Sequence, residues 1–596
     1  MQSGHLSERG LRKEWALVVG IVAGGWSFIL AFGQSQNFLY ADDALPFVVR
    51  IHQGQTHPHH LVIGGLGCIN RALEWTRPQD FLHSLGLARV FVVVMSVIAV
   101  AAVGYIAWSW FRSLWSVLAA MLLLMASYGF WAYSVVPDFY VPGIAAIMVA
   151  MIGIERFQDT GKAGWLGMTA GATWLATMCH QSYGIFALIV GAVLFSKRAK
   201  YAVGFIVVSS LLVAISYLLA FRMQQEYQAF GDFVLGYVLH MQFTPYDELQ
   251  WMTPVYAAVG MLRAWTFPEY FVRLDSCWEW VLQSWEMKLL LDERFLLRGL
   301  PSGLALVLGA VGVLSVGALF FIAIRKGPLL HRYLRGRWSY WVLLGWAAAL
   351  GILAFLWEPS SNEFWLWMPP VIGVALSGLS AAKPAGTLWV SMGGLMLTTA
   401  PIIWLYRSPD SDIYSVNKRY RTQLQPSDVL ITGDFQQTIA LNWLYPTPAR
   451  VLQYKVGRLV WGDSALQRAL GELARLGSKG RLVLDPMIVM PHRSEIALRR
   501  KLPGWEEKHA QETLERISEF CQGSEDERRE QHREVSREHG RKRDEKIRRT
   551  RARGNHAPVA HQLQSRRRIP LVGVWRDGGG VVEFEQRSLP GLEWIR

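Results

Sequence analysis

The sequence is short of charge, short of cysteine and without the loops that cradle nucleotides. Only 18% of its 596 residues are Asp, Glu, Lys or Arg, whereas soluble domains carry about 25%. With 52% hydrophobic residues and 27 tryptophans, that scarcity excludes an ordinary soluble globular chain. Cys68, Cys179, Cys277 and Cys521 are the four cysteines, and they show no CxxC spacing. Neither a structural zinc nor a disulfide framework is implied. A single Cys68–Cys277 bridge stays open if both thiols face an oxidising compartment. There is no Walker A motif and no GxGxxG after a predicted strand, so no nucleotide-binding loop is signalled. The short loops 137–138, 179–182 and 358–363 lack Lys and Arg entirely.

What the chain does have is apolar runs of about 20 residues, the length that crosses about 30 Å of hydrocarbon. They fall at 15–33, 88–108, 115–136, 139–154, 165–178, 183–196, 201–221, 303–324, 338–357, 364–382 and 386–406. The expected fold is an all-α polytopic membrane bundle of about eleven transmembrane helices. A basic leader, 1–14, precedes it, and the membrane domain is 15–406, with long loops at 34–87 and 222–301. The first run exceeds the h-region of a signal peptide, so an uncleaved span is expected. The second long loop is Trp-rich and amphipathic in places, suited to the interface.

Loop charge sets an orientation. With residue 1 cytoplasmic, the inner loops hold Arg9, Arg12, Lys13, Arg112, Arg156, Lys162, Lys197, Arg198, Lys200, Arg325, Lys326, Arg332, Arg335, Arg337 and Lys383. That is a positive-inside pattern. It places the N-terminus in the cytoplasm, and both long loops and the C-terminal region outside the cytoplasmic membrane. The net charge of +14 therefore reflects orientation and contact with membrane lipids, and no nucleic-acid partner is expected.

Residues 407–522 differ from the rest. Strand-like runs at 428–432, 450–454 and 481–484 and an amphipathic helix at 464–476 predict a small α/β extracytoplasmic domain. The stretch 523–568 is almost wholly polar and charged, too hydrophilic to bury a core. Residues 569–596 read as a closing β-hairpin.

The residues with chemistry to offer cluster at one side of this topology. Asp42 and Asp43 follow the first span. His57, His59 and His60 come next in HPHHL, Asp138 sits between the third and fourth spans, and His180 and Gln181 between the fifth and sixth. Glu358 and Glu363 lie between the ninth and tenth. Ionisable groups at such depth are functional candidates by default. Asp42/Asp43 is read as the catalytic pair, although Asp-Asp-Ala-Leu-Pro would also start a helix. The histidines suit a substrate or phosphate contact; HPHH has no spaced metal signature, so a divalent metal stays open and no other cofactor is called. Asp138 either caps the fourth span or serves the site, and His180 and Gln181 are either interfacial or site groups. Glu363 sits in an aromatic belt that explains its tryptophan neighbours. Arg263 and Arg273, in the second long loop, suit a phosphate or a lipid headgroup.

In order and sidedness, YADDALPF, HPHHL, FWAYSVVPDFYVPG, HQSYG and WEPSSNEFW resemble the GT-C superfamily of membrane glycosyltransferases. The likeness is to its bacterial PMT/ArnT-like and RgtA/B/C/D-type families and covers about residues 10–406. The resemblance implies a polyprenyl-phosphate-linked sugar donor, a glycan, lipid or protein acceptor hydroxyl, and inversion at the anomeric carbon. It implies Asp42 or Asp43 as the base, with Asp42 preferred, and Asp138 as a second site acid. The sequence departs from the family where Pro-Asp-Phe-Tyr replaces a Glu-x-Tyr. The rival reading is a transporter or flippase for a lipid-linked or anionic substrate, which would place acids in mid-span and break helices in paired halves.

Overall fold

The computed structural model describes residues 8–34, 44–57, 59–74, 80–223, 229–234, 253–274, 277, 296–407, 417–432, 440–444, 446–453, 482–484 and 592–593. The chain divides into two compact units, Met1–Asp412 and Ile413–Arg596.

The first unit is helical throughout its described residues. Its helices are α1 (Glu8–Gln34), α2 (Ala44–Gln53), α3 (Val62–Glu74), α4 (Phe81–Phe111), α5 (Leu114–Ala126), α6 (Tyr128–Val135), α7 (Tyr140–Thr160), α8 (Ala163–Cys179) and α9 (Ile185–Met223). Leaving aside the four-residue turn Phe230–Phe233, α10 (Thr253–Trp265), α11 (Ser302–Leu334), α12 (Trp338–Trp357), α13 (Met368–Ser377) and α14 (Gly386–Arg407) follow. Every expected span overlaps one of these helices. By length and apolar composition, six described helices are able to cross a membrane, or seven if the bent α5–α6 pair is one span.

Several of the expected runs are not single straight helices. The run 115–136 is not straight: it breaks at Ser127 and bends by 67°. The run 364–382 is divided into a 3-10 turn, Asn362–Trp365, and the ten-residue α13, which reaches only about 15 Å. Conversely, α9 is two helices merged across Arg198, whose φ of −151° and ψ of 71° are not helical. A Cβ on Gly191 would lie 2.7 Å from the Ile206 side chain, and the Tyr217 hydroxyl lies 3.4 Å from Gln181 Oε1. In a straight helix those last two residues would stand about 54 Å apart, so α9 is a hairpin, as the separate runs 183–196 and 201–221 predict.

Small residues let helices approach closely where lipid supplies no driving force. A Cβ on Gly153 of α7 would meet Thr169 Oγ1 of α8 at 2.3 Å, and one on Gly394 of α14 would meet Ser315 Oγ of α11 at 2.1 Å. Among the six helices long and apolar enough to cross, α7 is the most buried, at 83%, and α9 the least, at 17%.

The polar groups separate into two ends. At one end, the fully buried Glu155 of α7 accepts from Ser109 Oγ at 2.8 Å, Trp110 Nε1 at 3.2 Å, Arg337 Nη1 at 3.2 Å and the Ser339 hydroxyl. Gln158 Nε2 donates to Gly336 O at 3.1 Å, and Arg198 lies over the Phe157 and Trp338 rings. These residues come from or adjoin the loops that carry the Lys and Arg. The loops without Lys or Arg meet one another at the other end.

In the second unit, β1 (Val429–Thr432), β2 (Arg450–Gln453), β3 (Leu482–Leu484) and β4 (Leu592–Glu593) form a parallel sheet in the order β2-β1-β3-β4. Three of these strands are those expected from the sequence. Tyr420, Leu424, Leu430, Leu441 and Ala449 pack as its core. The predicted helix 464–476, the polar stretch 523–568 and the hairpin strands lie outside the described residues. The part of 569–596 that is described, Leu592–Glu593, is an edge strand parallel to β3. Cys68 and Cys277 both carry free thiols.

Candidate active site

The site begins where α2 ends. Ala44, Leu45, Phe47, Val48 and Ile51 bury one face of α2. Gly54 then turns the chain with φ of +64°, the left-handed geometry that terminates helices and that Gly adopts without strain. A Cβ there would also strike the Arg71 guanidinium at 2.1 Å. The chain leaves through His57, His59 and His60 and enters α3 at Val62.

Three further loops meet this one. Gln181 N donates to His59 O at 3.0 Å, which joins the α8–α9 turn to the first loop. His60 Nδ1 hydrogen-bonds Cys179 O. The His60 ring lies 5.0 Å from that of His180 and 5.9 Å from that of Tyr140, centroid to centroid. Tyr140, at the start of α7, stacks on His180 at 4.7 Å and meets Phe364 edge-on at 5.9 Å. Tyr133, near the end of α6, packs edge-on against Tyr140 at 6.1 Å. Its hydroxyl donates to Asn362 Oδ1 at 3.2 Å and lies 3.4 Å from Glu363 Oε2.

Asp138 is 1% exposed, and its Oδ1 accepts from Phe139 N at 2.6 Å. The structure thus brings His57, His59, His60, Asp138, His180, Gln181 and Glu363 to one end of the bundle. Arg263 is buried in an ion pair with Glu269. Its helix reaches the same loop, since a Cβ on Gly260 would lie 2.2 Å from Pro359 O. Arg273 instead donates through Nε to Leu300 O at 2.9 Å, which ties the Pro268–Arg273 turn to the Leu297–Gly299 turn. That bond is a scaffold contact. Asp42 and Asp43 lie outside the described residues.

The imidazoles are neutral. Burial pushes His59 down to about 4. Burial pushes His60 down to about 3, helped by His59 and opposed by the bond to Cys179 O. Burial likewise lowers His57 and His180, and the neighbouring histidines add to it, with Arg50 also acting on His57. Burial removes the charged form's hydration, so the ring gives up its proton. Ser182 N donates to His180 Nδ1 at 3.3 Å, and the Ser182 hydroxyl lies 2.6 Å from the same nitrogen. One hydrogen bond fixes a tautomer: His60 Nδ1 faces a carbonyl and must carry its proton there. At Glu269, burial raises the carboxyl against the pull of Arg263.

No group of three or more His, Cys, Asp or Glu among the described residues has the geometry to hold a metal. The His60 and His180 Nδ1 atoms are turned to Cys179 O and Ser182, not toward a common point.

Sequence reasoning passed over Tyr133, Tyr140 and Phe364. The signal lay in FWAYSVVPDFYVPG and NEFW, where aromatic residues alternate with acids at span ends. Their role as the packing between loops shows only once those loops adjoin.

No family model matches the sequence, and no curated protein matches it. Among solved structures, the fold is similar to ArnT from Cupriavidus metallidurans bound to undecaprenyl phosphate. The TM-score is 0.47 and the identity 11%, over 83% of this chain and 96% of that one. The apo state of the same protein gives a TM-score of 0.48 and 12% identity, over 83% and 95%. The archaeal oligosaccharyltransferase AglB from Archaeoglobus fulgidus, in complex with an inhibitory peptide and a dolichol-phosphate, gives 0.44 and 13%, over 82% and 72%. Likeness this remote assigns no residue and no activity.

Proposed function

We propose that the chain is an integral membrane glycosyltransferase of the cytoplasmic membrane. It moves a sugar from a polyprenyl-phosphate donor to an acceptor hydroxyl on the outer face. The observation that carries the reading is the meeting of the loops bearing His57, His59, His60, Asp138, His180 and Glu363 at one end of the bundle, away from the Lys- and Arg-rich end. A transporter would be expected to hold its acids along a path through the bundle. Here the acids on the far side from the basic loops are gathered at a mouth.

In this reading the carboxylate of Asp42, or of Asp43 beside it, takes the acceptor hydroxyl's proton. The hydroxyl oxygen attacks the anomeric carbon from the face opposite the phosphate. The bond from anomeric carbon to phosphate oxygen breaks, the polyprenyl phosphate leaves with the electron pair, and configuration inverts. Of the neutral histidines, His57 and His59 offer N–H donors to the donor's phosphate without presenting fixed positive charge, while His60 spends its one N–H on Cys179 O. Asp138 and Glu363 supply acceptors for sugar hydroxyls. In this reading the N-terminus is cytoplasmic and the C-terminal unit extracytoplasmic, the orientation that the loop charges favour.

The test is transfer in membranes supplied with polyprenyl-phosphate sugars. Either Asp42→Asn or Asp43→Asn abolishes transfer at unchanged protein level. Full transfer in both single variants and in the double variant refutes the assignment. Mass spectrometry of lipids and glycans from cells with and without the protein names the sugar and the acceptor.

A further inference from the structure

We infer that Tyr133 is a positioning residue: its hydroxyl holds the Asn362–Glu363 turn so that the Glu363 carboxylate faces the substrate. The inference rests on the glycosyltransferase reading and adds a group which that reading does not use. Tyr133 lies on α6, which the break at Ser127 turns 67° from α5. That bend carries the end of α6 toward the mouth of the bundle. The Tyr133 hydroxyl donates to Asn362 Oδ1 at 3.2 Å and lies 3.4 Å from Glu363 Oε2. Asn362 is buried, whereas Glu363 is half-buried. One residue of the turn is therefore an anchor and the next presents an acid.

Two more contacts fix the turn. Trp365 Nε1 donates to Pro359 O at 2.9 Å, and Phe364 packs edge-on against Tyr140. The Tyr133 ring in turn leans on Tyr140, whose carbonyl accepts from the Tyr183 hydroxyl at 3.3 Å. The 3-10 turn has only four residues, and its side chains are fixed by what packs against it. A hydroxyl from a neighbouring helix supplies that support. The arrangement does not make Tyr133 a catalytic residue, because it acts through Glu363.

The experiment compares the wild type, Tyr133→Phe, Glu363→Gln and the double variant. Initial rates of transfer are measured in membranes against a polyprenyl-phosphate-sugar pool extracted from the native cells, and melting is recorded for the same four proteins in detergent. Each single change lowers kcat/KM about tenfold, the scale of a lost hydrogen bond. The double variant falls no further than either single one, because Tyr133 has no effect once its partner is gone. A merely structural tyrosine would lower melting and would add its loss to that of Glu363→Gln.

Additive losses overturn the inference, and so does a wild-type rate in Tyr133→Phe. A fall in melting with unchanged kcat/KM overturns it too. If the wild type transfers no sugar from that pool, the glycosyltransferase reading falls and takes the inference with it. If the wild type is active and only the Tyr133 results disagree, the reading survives and the inference alone is lost.

Discussion

Acid should loosen this protein through its histidines before it reaches most of its carboxylates. His59 falls to about 4 in the folded chain, against about 6.5 unfolded. A folded value below the unfolded one means that the unfolded chain takes up the proton first as pH falls. Stability is therefore complete above the unfolded value and is lost as pH drops through the window from about 6.5 to about 4. At about pH 5 the unfolded ring is almost wholly protonated and the folded ring about one-tenth so. The difference costs about 2 kcal/mol relative to about pH 7.5, and the ceiling below both values is about 3.4 kcal/mol. His60, at about 3, acts in the same direction. The assay is thermal unfolding in detergent followed by tryptophan fluorescence, at about pH 7.5 and about pH 5, on the wild type and on His59→Asn. The variant cannot titrate there, so its acid loss is smaller by about 2 kcal/mol, or a few degrees of melting temperature for a unit of this size. Identical acid losses in the two proteins would show that His59 is not held neutral and would undo the electrostatic picture of the site.

Three other outcomes follow from the geometry. Arg263→Met leaves Glu269 buried without its cation and costs about 3–5 kcal/mol, most of which returns when Glu269→Leu is added; melting of the single and double variants checks this. Gly143→Ala places a methyl 2.2 Å from the Tyr183 ring, so overpacking costs about 1–3 kcal/mol and lowers transfer by displacing the ring stack on His180. Glu155→Leu leaves the Ser109 and Ser339 hydroxyls without their carboxylate acceptor, although Trp110 Nε1 keeps Ser339 Oγ at 3.1 Å, and costs about 3 kcal/mol in melting. The same change leaves KM for the donor unaltered, because the residue belongs to the end remote from the candidate site.

Much of the fold could be read from the chain because hydropathy and loop charge are both local signals. The runs 88–108 and 338–357 became α4 and α12, and the hairpin at Arg198 was already marked by Lys197, Arg198 and Lys200. The bend at Ser127 was not legible. The apolar run continues through it, and only the packing of Ser127, whose Oγ donates to Leu124 O at 2.6 Å, distinguishes a break from a continuous helix. In the site, the acids and histidines were visible by type and sidedness. Their neutrality was not, because it depends on burial by loops far apart in sequence. The bond from Arg273 Nε to Leu300 O was not legible either, because it joins residues 27 positions apart. In the second unit, β1, β2 and β3 were legible as short β-branched runs. The parallel edge strand at Leu592–Glu593 was not, because two residues carry no periodicity.

The Glu155 node has a consequence for motion. It joins α4, α7 and α12 by charge-assisted bonds in a dry interior, where breaking any one strands the others. Among these helices the opposite ends are joined mainly by aromatic contacts and by loops. A sheaf tied firmly at its foot can part only at its mouth. In the glycosyltransferase reading proposed above, the end left free to part is the one where the lipid-linked donor would enter.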